Sequence, residues 1–148
     1  MESLDGKILV LLARDGRMSY TDIGKATGLS TSAAQQRVRR LEQRGLITGY
    51  HARIDPAALG MNLTAFVAVR PFDQSQADDT PDRLSGLSEI ISCYSVAGEA
   101  SYLLKVQVTT PVHLEELLAR IRAAAHVSSV TTVVLSVPYE DRPLNFET

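Results

Sequence analysis

The sequence predicts an α+β protein in two parts: an N-terminal winged helix-turn-helix domain and a C-terminal ferredoxin-like βαββαβ domain. Three observations carry this prediction. A capped helix, a glycine-containing turn and an arginine-rich helix follow one another between Ser19 and Gly45. Pro56 and Gly60 then interrupt the pattern. Beyond them, β-rich and helical stretches succeed each other in the order β-α-β-β-α-β.

At 148 residues the chain suits one large or two small domains. Its charge is unevenly shared. Residues 1–55 carry nine Lys/Arg against six acids, a net +3, and residues 56–148 carry six against eleven, a net −5. A basic head on an acidic body suggests two jobs in two domains, expected at 1–55 and 63–148 with a linker at 56–62. No apolar run approaches the roughly 20 residues that span a bilayer, so no membrane partner is expected. The first residues lack the charged and apolar regions of a signal peptide. The single cysteine, Cys93, cannot form an internal disulfide and is expected to pack inside a strand. Together these features point to the cytoplasm.

Leu4, Ile8, Leu11 and Leu12 repeat at helical spacing and predict a first amphipathic helix, stopped at Asp15-Gly16. Ser19 to Asp22 reads as a capping box, opening a short helix that buries Ile23 and Ala26 and ends at Gly28. Leu29 packs back in the turn and Ser30 caps the third helix, which Gly45 ends. Leu46 to Ile54 is β-rich with a glycine in the middle and predicts a hairpin wing.

The third helix has three faces. Ala34, Val38 and Leu41 form a narrow apolar stripe. Ser32, Gln35, Gln36 and Arg39 lie on a polar face, and Arg37, Arg40 and Arg44 on a basic one, with Glu42 the sole carboxylate. Such a helix can dock on a small core and offer amides, hydroxyls and guanidiniums to double-stranded DNA. In a helix-turn-helix the second helix enters the major groove, N-terminal residues first. Thr31, Ser32, Gln35 and Gln36 are therefore placed toward base edges, with the capping Ser30 also expected at the DNA. Arg37, Arg39, Arg40, Arg44 and, from the wing, Arg53 are placed for phosphates. The competing reading is a solvated basic helix face.

In the second domain, Leu63 to Arg70 predicts a strand stopped by Pro71. Asp73 to Thr80 reads as a loop. Thr80-Pro81 reads as an N-cap and first helical residue for a short helix through Leu84 and Leu87. Ile90 to Val96 and Tyr102 to Val108 are strands around an Ala97-Gly98-Glu99-Ala100 turn. Thr110-Pro111 repeats the cap-plus-proline device, and Leu114, Leu117, Leu118 and Ile121 form the apolar stripe of the helix it opens. Val130 to Val137 is the expected last strand. Residues of both parities are apolar in the first and last strands, as in Ala65, Val67 and Val69 against Phe66 and Ala68. An uncovered apolar sheet face calls for a second copy, so at least a homodimer is expected.

Asp15-Gly16-Arg17, Gly28-Leu29-Ser30, Arg37 to Glu42 and Gly45 to Tyr50 stand in the order and spacing of the Lrp/AsnC, or feast/famine, transcriptional regulators. The resemblance covers essentially the whole chain. It implies a C-terminal RAM domain that binds a small-molecule effector, often an amino acid, and pairs into dimers that commonly gather into octamers. It also implies an effector pocket at the turn between the second and third strands, where the family pattern is Gly-x-x-Asp-Tyr. Here the stretch is Gly98-Glu99-Ala100-Ser101-Tyr102, with serine in place of aspartate. An aspartate could hold an ammonium group by a charge-assisted bond, whereas a serine hydroxyl bonds without charge, which leaves the ligand's identity open. The expected pocket comprises Ser95, Val96, Ala97, Gly98, Glu99, Ser101 and Tyr102, with Thr131, Thr132 and Ser136 nearby. A plain hairpin without ligand is the alternative.

His51, His113 and His126 are scattered, without acids or thiols at ligand spacing, so neither metal nor other cofactor is expected. No phosphate loop or nucleophile elbow is present. The enzyme alternative is a sirohaem-decarboxylase-like protein, which shares both domains. Its chemistry rests on cleft histidines, whereas His113 falls at a helix start and His126 in a loop. A regulator acting only through protein partners is the third reading.

Overall fold

The computed structural model describes residues 3–144 and divides into two compact units. One comprises the residues through Arg53 together with those from Pro138, and the other Ile54–Val137. The ends of the expected domains, residues 1–2 and 145–148, lie outside the described residues.

The first unit is built on three helices: α1 (Ser3–Arg14), α2 (Tyr20–Thr27) and α3 (Thr31–Gln43). Their core is small: Ile8, Leu9, Ile23, Ala34, Val38 and Leu41 are buried, with Leu12, Met18, Leu29 and Ile47 packed against them. Ser19 caps α2 by accepting the Asp22 N–H, and Ser30 caps α3 by accepting that of Ala33. Two expectations need correction. Ala26 is exposed, and the buried partner of Ile23 on α2 is Gly24. The wing forms no hairpin, because the N–H groups of Leu46 and Ile47 both turn back to the Leu41 carbonyl at the end of α3. Tyr50 is drawn to the same helix by donating to Glu42 at 2.8 Å. The stretch that remains is too short to hold a two-stranded ribbon alone.

The second unit contains β1 (Leu63–Pro71), α4 (Thr80–Leu84), β2 (Ile90–Ser95), β3 (Tyr102–Val108), α5 (Pro111–Ala125) and β4 (Val127–Val133). The four strands form an antiparallel sheet in the order β2-β3-β1-β4, which is the ferredoxin-like arrangement. Val67, Val69, Leu104, Val106 and Val127 on one sheet face pack with Leu84, Leu117 and Ile121 of the helices. On the other face Tyr94, Leu103, Ala68 and Val130 stand side by side across all four strands. Val130 is 71% exposed and Tyr94 52%.

Thr110 caps α5 as expected, accepting the His113 N–H. Thr80 is not a cap. It is the first residue of α4, is buried, and gives its N–H to Asp78. The last strand starts three residues earlier than expected. His126, in a left-handed conformation, ends α5 abruptly, and Val127 passes at once into the sheet. Leu135, Ser136 and Val137 therefore lie beyond the strand. Cys93 lies on the edge strand β2 and is exposed rather than packed inside, because only β3 flanks that strand. Glu89 ties β2's approach to α5, accepting from Arg120 and contacting His113 Nε2 at 3.2 Å. The Arg120 bond, against the cost of burial, holds the Glu89 carboxyl at about 2.

Candidate nucleic-acid interface and effector turn

The geometry of α3 begins with the turn before it. Gly28 adopts φ 74°, which ends α2, and its N–H reaches the Gly24 carbonyl. The Leu29 N–H donates to the same carbonyl at 2.9 Å. A Cβ on Gly24 would stand 2.5 Å from the Leu29 carbonyl oxygen, so only glycine lets the turn fold this closely against α2. Sequence reading noticed Gly28 and missed Gly24.

Ala34, Val38 and Leu41 are buried, so the opposite side of α3 faces outward. Ser30, Thr31, Ser32, Gln36, Arg39 and Arg40 are exposed, and Gln35 is half-buried. The Thr31 hydroxyl lies 3.3 Å from that of Thr21, and the Ser32 hydroxyl 3.3 Å from that of Ser30. Gln36, Arg39 and Arg40 have no hydrogen bond or ion pair of their side chains among the described residues. Arg53 is exposed on a segment without regular structure.

Arg37, expected to face phosphates, has a partner within its own unit. It is half-buried and donates through Nη1 to Asp5 Oδ1 at 2.8 Å. Arg44 is 3.9 Å from the other oxygen of Asp5 and stays 61% exposed. Asp5 itself is buried in the first turn of α1. A carboxylate three residues before Ile8 on the buried side of a helix was the signal that could have found it, because such a group demands a cation. Glu42 serves Tyr50. Lost hydration, and then the bond to Glu42, push the Tyr50 phenol up to about 12.

The β2–β3 turn is fixed by the sheet. The Val96 N–H donates to the Ser101 carbonyl, and the Ser101 N–H to Val69 of β1 at 2.9 Å. Gly98 takes φ 148°, a conformation that favours glycine. Ser95, Val96, Ala97, Gly98 and Glu99 are exposed, and Ser101 and Tyr102 are half-buried. Tyr102 donates its hydroxyl to Asp78 at 2.5 Å, which pushes the phenol up to about 12 and holds the Asp78 carboxyl below its ordinary value. The structure does not bring the last-strand polar groups to this turn. Thr131 and Thr132 lie on β4, where they pair with Val67 and Phe66 of β1 on the side away from β3. Ser136 lies past the opposite end of the sheet, since Val133 pairs with Ala65 whereas Tyr102 pairs with Val69. Neighbouring strands are about 4.8 Å apart, so β4 stands roughly 10 Å from β3. A cleft of about 440 Å³ opens beside the turn, lined by Phe72, Asp78, Asp79, Arg83, Ser101 and His126 among others. Ser101 is the one expected effector residue on its wall.

A helix-turn-helix unit with an exposed polar and basic second helix, followed by a separate ferredoxin-like unit, defines a DNA-binding regulator with its own ligand-binding domain. The chain matches the AsnC-type helix-turn-helix domain over residues 1–42 and the Lrp/AsnC ligand binding domain over residues 64–144. It is 49% identical over 142 residues to the HTH-type transcriptional regulator LrpA of Mycobacterium tuberculosis, covering 96% of this chain and 95% of that protein. Its fold superimposes on the feast or famine regulatory protein of M. tuberculosis complexed with L-methionine with TM-score 0.92, at 50% identity over 95% of this chain and 96% of that one. Escherichia coli AsnC is similar with TM-score 0.84 at 27% identity, over 95% of each chain. The chain belongs to the Lrp/AsnC family of transcriptional regulators, and the enzyme alternative is set aside. Among the described residues no helix is long and apolar enough to cross a membrane.

Proposed function

We propose that this chain is a sequence-specific transcription regulator that reads DNA with α3 and responds to an amino acid bound by its second unit. The observation that carries the DNA reading is the face of α3 turned away from the core, where Ser32, Gln36, Arg39 and Arg40 are all exposed. Ser32, Gln35 and Gln36 suit base edges, and Arg39 and Arg40 suit phosphates. A homodimer would set two copies of α3 against successive major-groove faces and favour a palindromic site. The outer row of Tyr94, Leu103, Ala68 and Val130 supports pairing of two sheets, and dimers could gather further, as into an octamer. The effector class is supported by a relative of 50% identity complexed with L-methionine. In this chain the carboxylate beside Tyr102 comes from Asp78, not from the turn itself.

A duplex selected from a random pool by the protein supplies the probe. Arg39→Ala and Arg40→Ala should weaken binding to selected and random duplexes alike, while Ser32→Ala and Gln36→Ala should relax the preference between them. Four variants indistinguishable from the parent would overturn the assignment of faces. Calorimetry against the twenty amino acids should give heat with one or a few. No heat with any, in protein that binds DNA, would remove the amino-acid effector.

A further inference from the structure

The ion pairs of Asp5 have a consequence for DNA binding. This buried carboxylate, with its side chain 12% exposed, meets two arginines of one flank of α3. Arg37 is held at 2.8 Å and is only 24% exposed. Arg44 stands 3.9 Å from the other Asp5 oxygen, an ion pair without a hydrogen bond, and is 61% exposed. Arg40 lies one turn before Arg44 on the same side of the helix and has no ion pair among the described residues. That flank of the helix therefore carries Arg37 bound by Asp5, Arg44 paired with it at longer range, and Arg40 with no ion pair among the described residues.

We propose that Asp5 is a specificity-setting residue that restrains Arg44 from phosphates, lowering indiscriminate affinity for DNA. This rests on the reading of α3 as the DNA-reading helix. Phosphate contacts raise affinity for every sequence, whereas base contacts separate one sequence from another. A regulator facing a large excess of random DNA gains selectivity when a cation on its reading helix is held back from phosphates. Asp5 supplies the restraint without touching DNA, so it acts as a positioning residue, with Arg44 as the group it positions.

The test measures the salt dependence of binding to a selected duplex and to random duplex for full-length protein. Asp5→Asn should steepen the slope of log affinity against log salt by about one unit, the equivalent of one added phosphate contact. It should tighten random-duplex binding several-fold at low salt and lower the selected-to-random ratio. In Asp5→Asn/Arg44→Gln that gain should vanish. Persistence of the gain in the double variant would mean a general charge effect and overturn the proposal. So would an Asp5→Asn protein that loses affinity for both duplexes without a steeper slope. Arg44→Gln alone keeps the test valid if Asp5→Asn does not fold: it should flatten the slope less than Arg40→Gln does, and an equal flattening would overturn the restraint. An Arg40→Gln variant with the parent's slope would instead overturn the reading of α3 itself.

Discussion

The two units position their functional elements by different means. In the first, α3 is aimed mainly by devices near it in the chain, a serine cap, two glycines in one turn and a narrow apolar stripe of three residues, with one distant tie from Arg37 to Asp5. In the second, the β2–β3 turn is set by partners far along the chain, since Ser101 is anchored to Val69 and Tyr102 to Asp78. The first unit works as a reader built on a small core. The second is a larger core whose surface turn is held by the sheet beneath it. Damage to each should be correspondingly distinct.

The largest effects should come from the cores. Leu117→Ala in the sheet core and Ile23→Ala in the head, both fully buried, are each expected to cost about 2–5 kcal/mol. Calorimetric unfolding with parallel DNA titrations should show Ile23→Ala losing DNA binding with the second unit still folded. Equal damage to both units from either variant would erase the distinction drawn here. Gly24→Ala comes next. Its methyl would collide with backbone rather than with a movable side chain, so a loss of about 1–3 kcal/mol is expected, together with weakened DNA binding.

Acid sharpens the comparison from the other side. Glu89 titrates at about 2 when folded, below its ordinary 4.5. Its contribution is thus fully present above the ordinary value and is lost as pH falls through the folded one. At neutral pH Glu89→Gln should cost about 1–2 kcal/mol, at the low end because Arg120 is half exposed, and it should flatten the acid limb of the stability curve. An unchanged acid limb would mean that the pair contributes nothing. The smallest effect is Ser30→Ala, expected to remove about 1 kcal/mol with the loss of the α3 cap. Thermal melts would show it, and no change would mean that water caps the helix equally well.

What the sequence disclosed divides by range of interaction rather than by unit. The caps at Ser19 and Ser30, the stripe of α3 and the order of the sheet elements were legible because periodicity and capping chemistry act over a few residues. The wing was misread because β propensity at Leu46 to Ile54 says nothing of a carbonyl at Leu41 that takes two of its N–H groups. The Asp5 partner of Arg37 was not legible because it lies 32 residues away. Thr131, Thr132 and Ser136 were grouped with the turn because strand order and the end of β4 depend on register, which a single chain of letters does not fix.

In the proposed docking α3 enters the major groove with its capped end foremost. Methylation interference on a selected duplex tests it most directly, because methyl groups at guanine N7 project into the major groove and those at adenine N3 into the minor groove. The arrangement described here predicts loss of binding when guanine N7 is methylated within each half-site. Full binding to N7-methylated duplex, with loss confined to methylation at adenine N3, would contradict it.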